Sequence, residues 1–272
     1  MGKNGQQKIA DELRNIREHL IHLEERIDSL SPIKPPQEAR LKTYVDGLDD
    51  VLDGGIPVGH VVLLAGPSGV MKTSLALYIL QRNRTHDVKG LYITLEESRD
   101  SLLKTMNRLG IGTEEDFIVD IGKLRTEHEA AEASRDWLQI LKDYLSRRLE
   151  KDKLDLVVVD PINSLYALAG IANPRKELFH FFSFLRSIGV TTLLVTEAEM
   201  NGRFFANQED FLADGTLTLS YSQESNGNFG LQLRCLKMRH SNHSRANMRL
   251  DFTGGKFIVS ALAPDERSGN PH

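Results

Sequence analysis

Cysteine is almost absent: Cys235 stands alone in 272 residues, so no disulfide can form within the chain and a reducing compartment is expected. A lone cysteine is most simply a small buried apolar side chain. A large excess of one charge is also missing. The formal net charge is −4 and the pI about 6.2, so no global basic field points to nucleic acid, although a local basic patch is left open. No apolar run is long enough to span a bilayer, and the opening MGKNGQQKIADEL turns polar at once, unlike a signal peptide. A cytoplasmic location with no membrane span is expected.

The first segment is rich in regular spacing. Ile9, Leu13, Ile16, Leu20, Leu23, Ile27 and Leu30 step by four and three, the seam of a coiled coil over about three heptads. Self-association or partner pairing through residues 9–30 suits so narrow a stripe; the alternative is an amphipathic helix docked on its own domain. Pro32, Pro35 and Pro36 then disfavour helix and give an extended linker. The expected layout is a coiled-coil helix over 1–30, a Pro-rich linker over 31–40, a main domain over 41–260 and a flexible tail over 261–272.

Within the main domain, short continuous apolar runs alternate with helical stretches: Val61–Ala65, Leu91–Leu95, Leu156–Asp160 and Thr192–Glu197. Unbroken apolar runs suit parallel strands covered on both faces, so an α/β, doubly wound, mostly parallel sheet is expected. Past Asp214 the segments crowd together (Thr216–Tyr221, Leu231–Met238, Met248–Phe252, Lys256–Val259), with turn signals at Asn226-Gly227 and Gly254-Gly255. These predict antiparallel hairpins extending the sheet. The run Phe179, Phe181, Phe182, Phe184 is read as a helix buried against it.

Val61–Ala65 leads into Gly66-Pro67-Ser68-Gly69-Val70-Met71-Lys72-Thr73-Ser74, followed by helical sequence: strand, glycine-containing loop, helix, the order of a phosphate-binding Walker A motif. Loop N–H groups and the positive helix end would bind the phosphates of ATP, Lys72 would add a point charge, and the Thr73 hydroxyl would ligate Mg²⁺. Met71 departs from the motif, standing where a glycine precedes the lysine. Either the loop is reshaped, with Gly69 taking up the strain, or nucleotide binding is weakened.

Three further strand ends carry polar groups. Glu96 and Glu97 follow Leu95, and a carboxylate there can orient or deprotonate an attacking water. On a regular strand the two would face opposite sides, so one is the base: Glu96 first, Glu97 second. Asp160 closes an apolar strand in the Walker B manner and would hold Mg²⁺ through water. Thr196 and Glu197 either sense the γ-phosphate or cap their strand.

At this point the sequence resembles the KaiC-like branch of the RecA superfamily over roughly Tyr44 to Val259. The stretches Asp46–Asp49, Leu52–Gly59, Thr94-Leu95-Glu96-Glu97-Ser98, Phe211–Gly215 and Leu236-Lys237-Met238-Arg239-His240-Ser241-Asn242-His243 carry the similarity. The resemblance implies a RecA-like fold and an ATPase that assembles into a ring such as a hexamer. It also implies that Lys237 and Arg239 act in trans on a neighbour's γ-phosphate, with His243 at the nucleotide. Departures are Met71, His240 where the family tends to glycine, a single core, and Asn207-Gln208-Glu209-Asp210 where the namesake's second core carries phosphoacceptor hydroxyls; no autophosphorylation is expected there. The expected function is a nucleotide-dependent switch that recruits a partner through the coiled coil. The alternatives are a nucleotide-gated scaffold with little hydrolysis, and a recombinase-like protein using Asn201–Asn207 on single-stranded DNA.

Overall fold

A computed structural model of the chain describes residues 39–121, 123, 137–169, 174–198, 205, 208–223 and 227–262. The expected coiled coil, nearly all of the linker and nearly all of the tail lie outside the described residues. The first strand begins at Arg40 and the last ends at Ala261. No helix among the described residues is long and apolar enough to cross a membrane.

The small ribbon β1 (Arg40–Leu41) and β2 (Ile56–Pro57), with α1 (Leu48–Val51) between them, precedes the main sheet. Then follow β3 (Val61–Gly66), α2 (Lys72–Arg84), β4 (Gly90–Thr94), α3 (Arg99–Leu109), β5 (Ile118–Asp120), α4 (Trp137–Lys151) and β6 (Leu156–Asp160). After them come α5 (Ile162–Ala169), α6 (Pro174–Ser187), β7 (Thr191–Glu197), α7 (Glu209–Leu212), β8 (Gly215–Gln223), β9 (Phe229–Met238), β10 (Met248–Thr253) and β11 (Lys256–Ala261). The nine-stranded sheet runs β11-β10-β9-β8-β3-β7-β6-β4-β5. From β8 through β5 all neighbours are parallel, and β8 to β11 are joined antiparallel. The mostly parallel sheet and the antiparallel C-terminal strands are therefore both present.

Continuous apolar strands are what this architecture demands, because both sheet faces are covered. Along β3 the side chains alternate between two cores. Val62 and Leu64 join the cluster holding Leu75–Leu80 of α2, while Val61, Leu63 and Ala65 join the one holding Trp137, Leu141 and Leu145 of α4 and Phe181, Phe182 and Leu185 of α6. The aromatic helix is thus buried against the sheet through Phe181 and Phe182, with Phe179 exposed. Cys235 is a buried free thiol, as a small apolar side chain would be, and burial pushes it up to about 12.

Parallel strands end at a common edge, and this places the chemistry. Gly66 pairs with Glu197 and Thr94 with Asp160, so the ends of β3, β7, β6 and β4 open onto one crevice.

Candidate functional site

The loop after β3 is shaped by its glycines. A Cβ on Gly66 would stand 2.3 Å from the Leu219 carbonyl oxygen of β8, so the backbone approach excludes a side chain. Gly69 has φ +86, and its carbonyl accepts the Tyr221 hydroxyl at 3.0 Å. The strain at position 71 is not passed to Gly69 alone: Met71 itself is left-handed, φ 64 and ψ 26. Its side chain borders the crevice and packs partly against the α2 cluster.

The helix that follows is open at its N-terminus. Met71 makes no side-chain cap on α2, and the first turn carries no acid. In α3, by contrast, Ser98 accepts from the Ser101 N–H and Asp100 sits in the first turn. An uncapped N-terminus retains unpaired N–H groups and a positive partial charge, which suits an anion.

Ser68, Gly69, Met71, Lys72, Thr73, Ser74, Glu96, Glu97, Asp160 and Glu197 line one cleft of about 340 Å³. Lys72 is nearly buried, and its Nζ donates to the carbonyls of Gly66 at 2.9 Å and Pro67 at 2.7 Å. Burial lowers its pKa, with Glu197 and Asp160 opposing. Val70 is fully buried beneath the loop. Across the cleft, Thr73 Oγ1 donates to Asp160 Oδ2 at 2.7 Å, and the buried Tyr92 phenol donates to the same oxygen at 2.5 Å. Burial raises the Asp160 pKa against those two bonds, and burial followed by the Asp160 charge lifts Tyr92 well above 10.

The expected alternation of Glu96 and Glu97 does not occur, because β4 ends at Thr94 and a bend follows. Both glutamates face the cleft. Ser164 Oγ donates to Glu96, and Ser101 Oγ donates to Glu97 at 2.5 Å. Asn163 Oδ1 accepts from Thr196 Oγ1 at 2.9 Å and from the Glu197 N–H at 2.7 Å. Tyr92, Asn163 and Ser164 escaped the sequence reading. The available signals were a buried tyrosine, which needs a partner for its hydroxyl, and two polar side chains three and four residues after Asp160.

Oxygen donors dominate the cleft, and a hydroxyl bonded to a carboxylate beside a phosphate loop fits Mg²⁺, which keeps several waters and needs few protein ligands. The pairing of Thr73 with Asp160 meets that requirement. No cluster of three or more His, Cys, Asp or Glu suited to a metal occurs among the described residues.

Lys237 and Arg239 are elsewhere. Lys237 pairs with Thr216 and Met238 with Gly215, which lies beside Val62, near the start of β3. The four-residue path to Gly66 spans roughly 13 Å at the rise of a strand. Lys237 Nζ donates to the carbonyls of Asp210 at 3.0 Å and Ala213 at 2.7 Å. Arg239 Nη1 donates to Asp214 Oδ1 at 2.9 Å, and Arg186 Nε reaches both Asp214 oxygens at 3.1 and 2.9 Å. Burial pushes Asp214 up, but the Arg186 bond, the Val61 N–H and the nearby cations outweigh it and hold the carboxyl low. His243 does not line the cleft of its own chain, and both its ring nitrogens are buried without a hydrogen-bond partner. Of Asn201–Asn207 only Phe205 is described; its side chain is buried in the α6-side core, which removes it as a base-stacking platform.

A nine-stranded, mainly parallel sheet with a Walker A loop, an acid closing the β6 strand and paired glutamates defines a P-loop ATPase of RecA type. The family model described as "ATPase: KaiC" matches residues 41–261, and the chain belongs to that family. It is 27% identical over 245 residues to the circadian clock oscillator protein KaiC of Rippkaea orientalis and 28% identical over 246 residues to KaiC 1 of Synechocystis. Each alignment covers 85% of this chain and 46% of the relative, so the chain spans a little under half the length of these curated proteins. The crystal structure of a KaiC-like protein from Pyrococcus horikoshii superposes with a TM-score of 0.69 at 25% identity, covering 82% of this chain and 99% of that one.

Proposed function

We propose that the protein is an ATP-hydrolysing switch whose site is finished by a second copy of itself. The observation that carries this reading is a division of labour across the sheet. Lys72, Thr73, Asp160, Glu96 and Glu97 share one cleft, whereas Lys237 and Arg239 lie at the opposite strand ends. Gly66–Ser74 wraps the phosphates with loop N–H groups and the open end of α2. Thr73 and Asp160 hold Mg²⁺, which supplies charge neutralisation at the phosphate oxygens when bound.

Glu96, steadied by Ser164, takes the proton of the attacking water, with Glu97 as the alternative base. Lys237 and Arg239 of one copy face the γ-phosphate held by the next and stabilise the charge that develops on it, with His243 at the same nucleotide. This requires a homo-oligomer, a ring such as a hexamer. The coiled coil over 9–30 adds an assembly contact or recruits a partner, in a cytoplasmic setting.

The alternative of a scaffold with little hydrolysis rests on Met71. Its backbone already holds the left-handed conformation that a glycine would adopt there, which favours the hydrolysing reading. Steady-state phosphate release by the wild type, Lys72→Ala and Glu96→Gln is the test. Turnover in the wild type and none in either variant is expected; wild-type release no greater than theirs, with ATP still bound, would leave only the scaffold.

A further inference from the structure

Asp160 uses one oxygen for two protein hydroxyls. Oδ2 accepts Thr73 Oγ1 at 2.7 Å and Tyr92 Oη at 2.5 Å, and the carboxylate borders the cleft. A carboxylate oxygen has two lone pairs in its plane, so these hydroxyls saturate Oδ2 and leave Oδ1 as the oxygen with capacity for a cation. Tyr92 is fully buried in the middle of β4, one strand away from β6 in register: it pairs with Val158, and its ring reaches forward to the acid at the strand end. Its backbone is fixed on both sides by β5 and β6, so the phenol is a rigid donor.

We infer that Tyr92 is a positioning residue that limits Asp160 to a single oxygen and so adapts the site to Mg²⁺ rather than Ca²⁺. The two cations ask different things of a carboxylate. Mg²⁺ demands a compact octahedron, keeps its waters and uses a carboxylate through one oxygen, whereas Ca²⁺ takes six to eight oxygens and accepts both from one carboxylate. With Oδ2 held by two hydroxyls, bidentate binding is closed, and Oδ1 alone is left to meet the cation, through one of its waters in the case of Mg²⁺. Outer-shell donors of this kind fix the orientation of the ligand they touch, and their loss typically weakens metal binding about 10–100-fold. Nothing in the Walker A or Walker B patterns calls for this tyrosine.

This inference rests on the Mg²⁺ site proposed above, and the test separates the two. ADP affinity is measured by calorimetry on the full chain in Mg²⁺, in Ca²⁺ and in EDTA, for the wild type and Tyr92→Phe. The phenylalanine keeps the buried ring, and circular dichroism with thermal unfolding checks that the fold is retained. The expected result is unchanged affinity in EDTA, a loss of about tenfold in the Mg²⁺-dependent tightening, and a clearly smaller loss with Ca²⁺. Equal losses with both cations, no loss with Mg²⁺, or a loss already present in EDTA would each overturn the role given to Tyr92. A wild type that gains nothing from Mg²⁺ would overturn the metal site itself.

Discussion

Replacing Met71 asks what a side chain costs inside a phosphate loop. Met71 sits at φ 64 and ψ 26, and a non-glycine residue pays roughly 1–2 kcal/mol to occupy that region. Glycine removes the strain but gives up about 0.5–1 kcal/mol in chain entropy. Met71→Gly alone also loses the packing against the α2 cluster, so Met71→Ala is the proper reference. Both variants lack the thioether; only alanine retains the strain. Glycine is therefore expected to be more stable than alanine by about 0.5–1 kcal/mol, roughly 1–4 °C in Tm for a domain of this size. Turnover follows a separate logic. The backbone already accommodates the side chain, so Met71→Gly should stay within about threefold of the wild type, under about 0.7 kcal/mol of barrier. Urea unfolding and a coupled phosphate-release assay measure the two quantities. Equal stability of the glycine and alanine variants would refute the strain. A gain above about tenfold in turnover would show that Met71 restrains hydrolysis.

Glu96→Gln should lower kcat by a factor of about 10² or more while KM moves little, and Glu97→Gln should lower it less; the reverse order in a steady-state assay would move the base to Glu97. His60 is half-buried, and burial lowers its pKa below 6.5, aided by His240 and opposed by Asp214 and backbone bonds involving Arg239 and Val58. The folded value thus lies below the unfolded one. The stability that neutral His60 contributes is complete above pH 6.5 and is lost as the pH falls below it. Thermal unfolding at pH 7.5 and 5.5 should show a smaller decline for His60→Asn than for the wild type; identical declines would exclude His60 as the source.

Strand-ending motifs were the legible part of the chain. Apolar runs ending in Gly66 and Asp160 announce themselves because a parallel strand buried on both faces leaves polar residues only at its tip. The hairpins after Asp214 were readable from closely spaced segments and glycine turns, and β10 and β11 close at Gly254-Gly255. Less legible were contacts made across the sheet. Tyr92 and Ser164 each bond a partner 68 residues away, and only the register of β4 on β6 brings them close. The three residues of β5 are too few to show a period. Glu96 and Glu97 misled because the alternation rule holds on a strand, and the strand had already ended at Thr94. The network at Asp214 depends on Arg186 from α6, which sequence spacing does not connect to the end of β9.

Mixing two inactive proteins tests the shared site most directly. Lys72→Ala lacks a competent phosphate loop but keeps Lys237 and Arg239; Arg239→Ala lacks the cation but keeps the loop. Combined in equal amounts, they form contacts in which an intact loop meets an intact Arg239 from the neighbour. Phosphate release by the mixture should exceed the sum of the two proteins assayed alone and rise with total protein concentration. Activity no greater than that sum, in mixtures shown by light scattering to co-assemble, would mean that Arg239 does not act across copies.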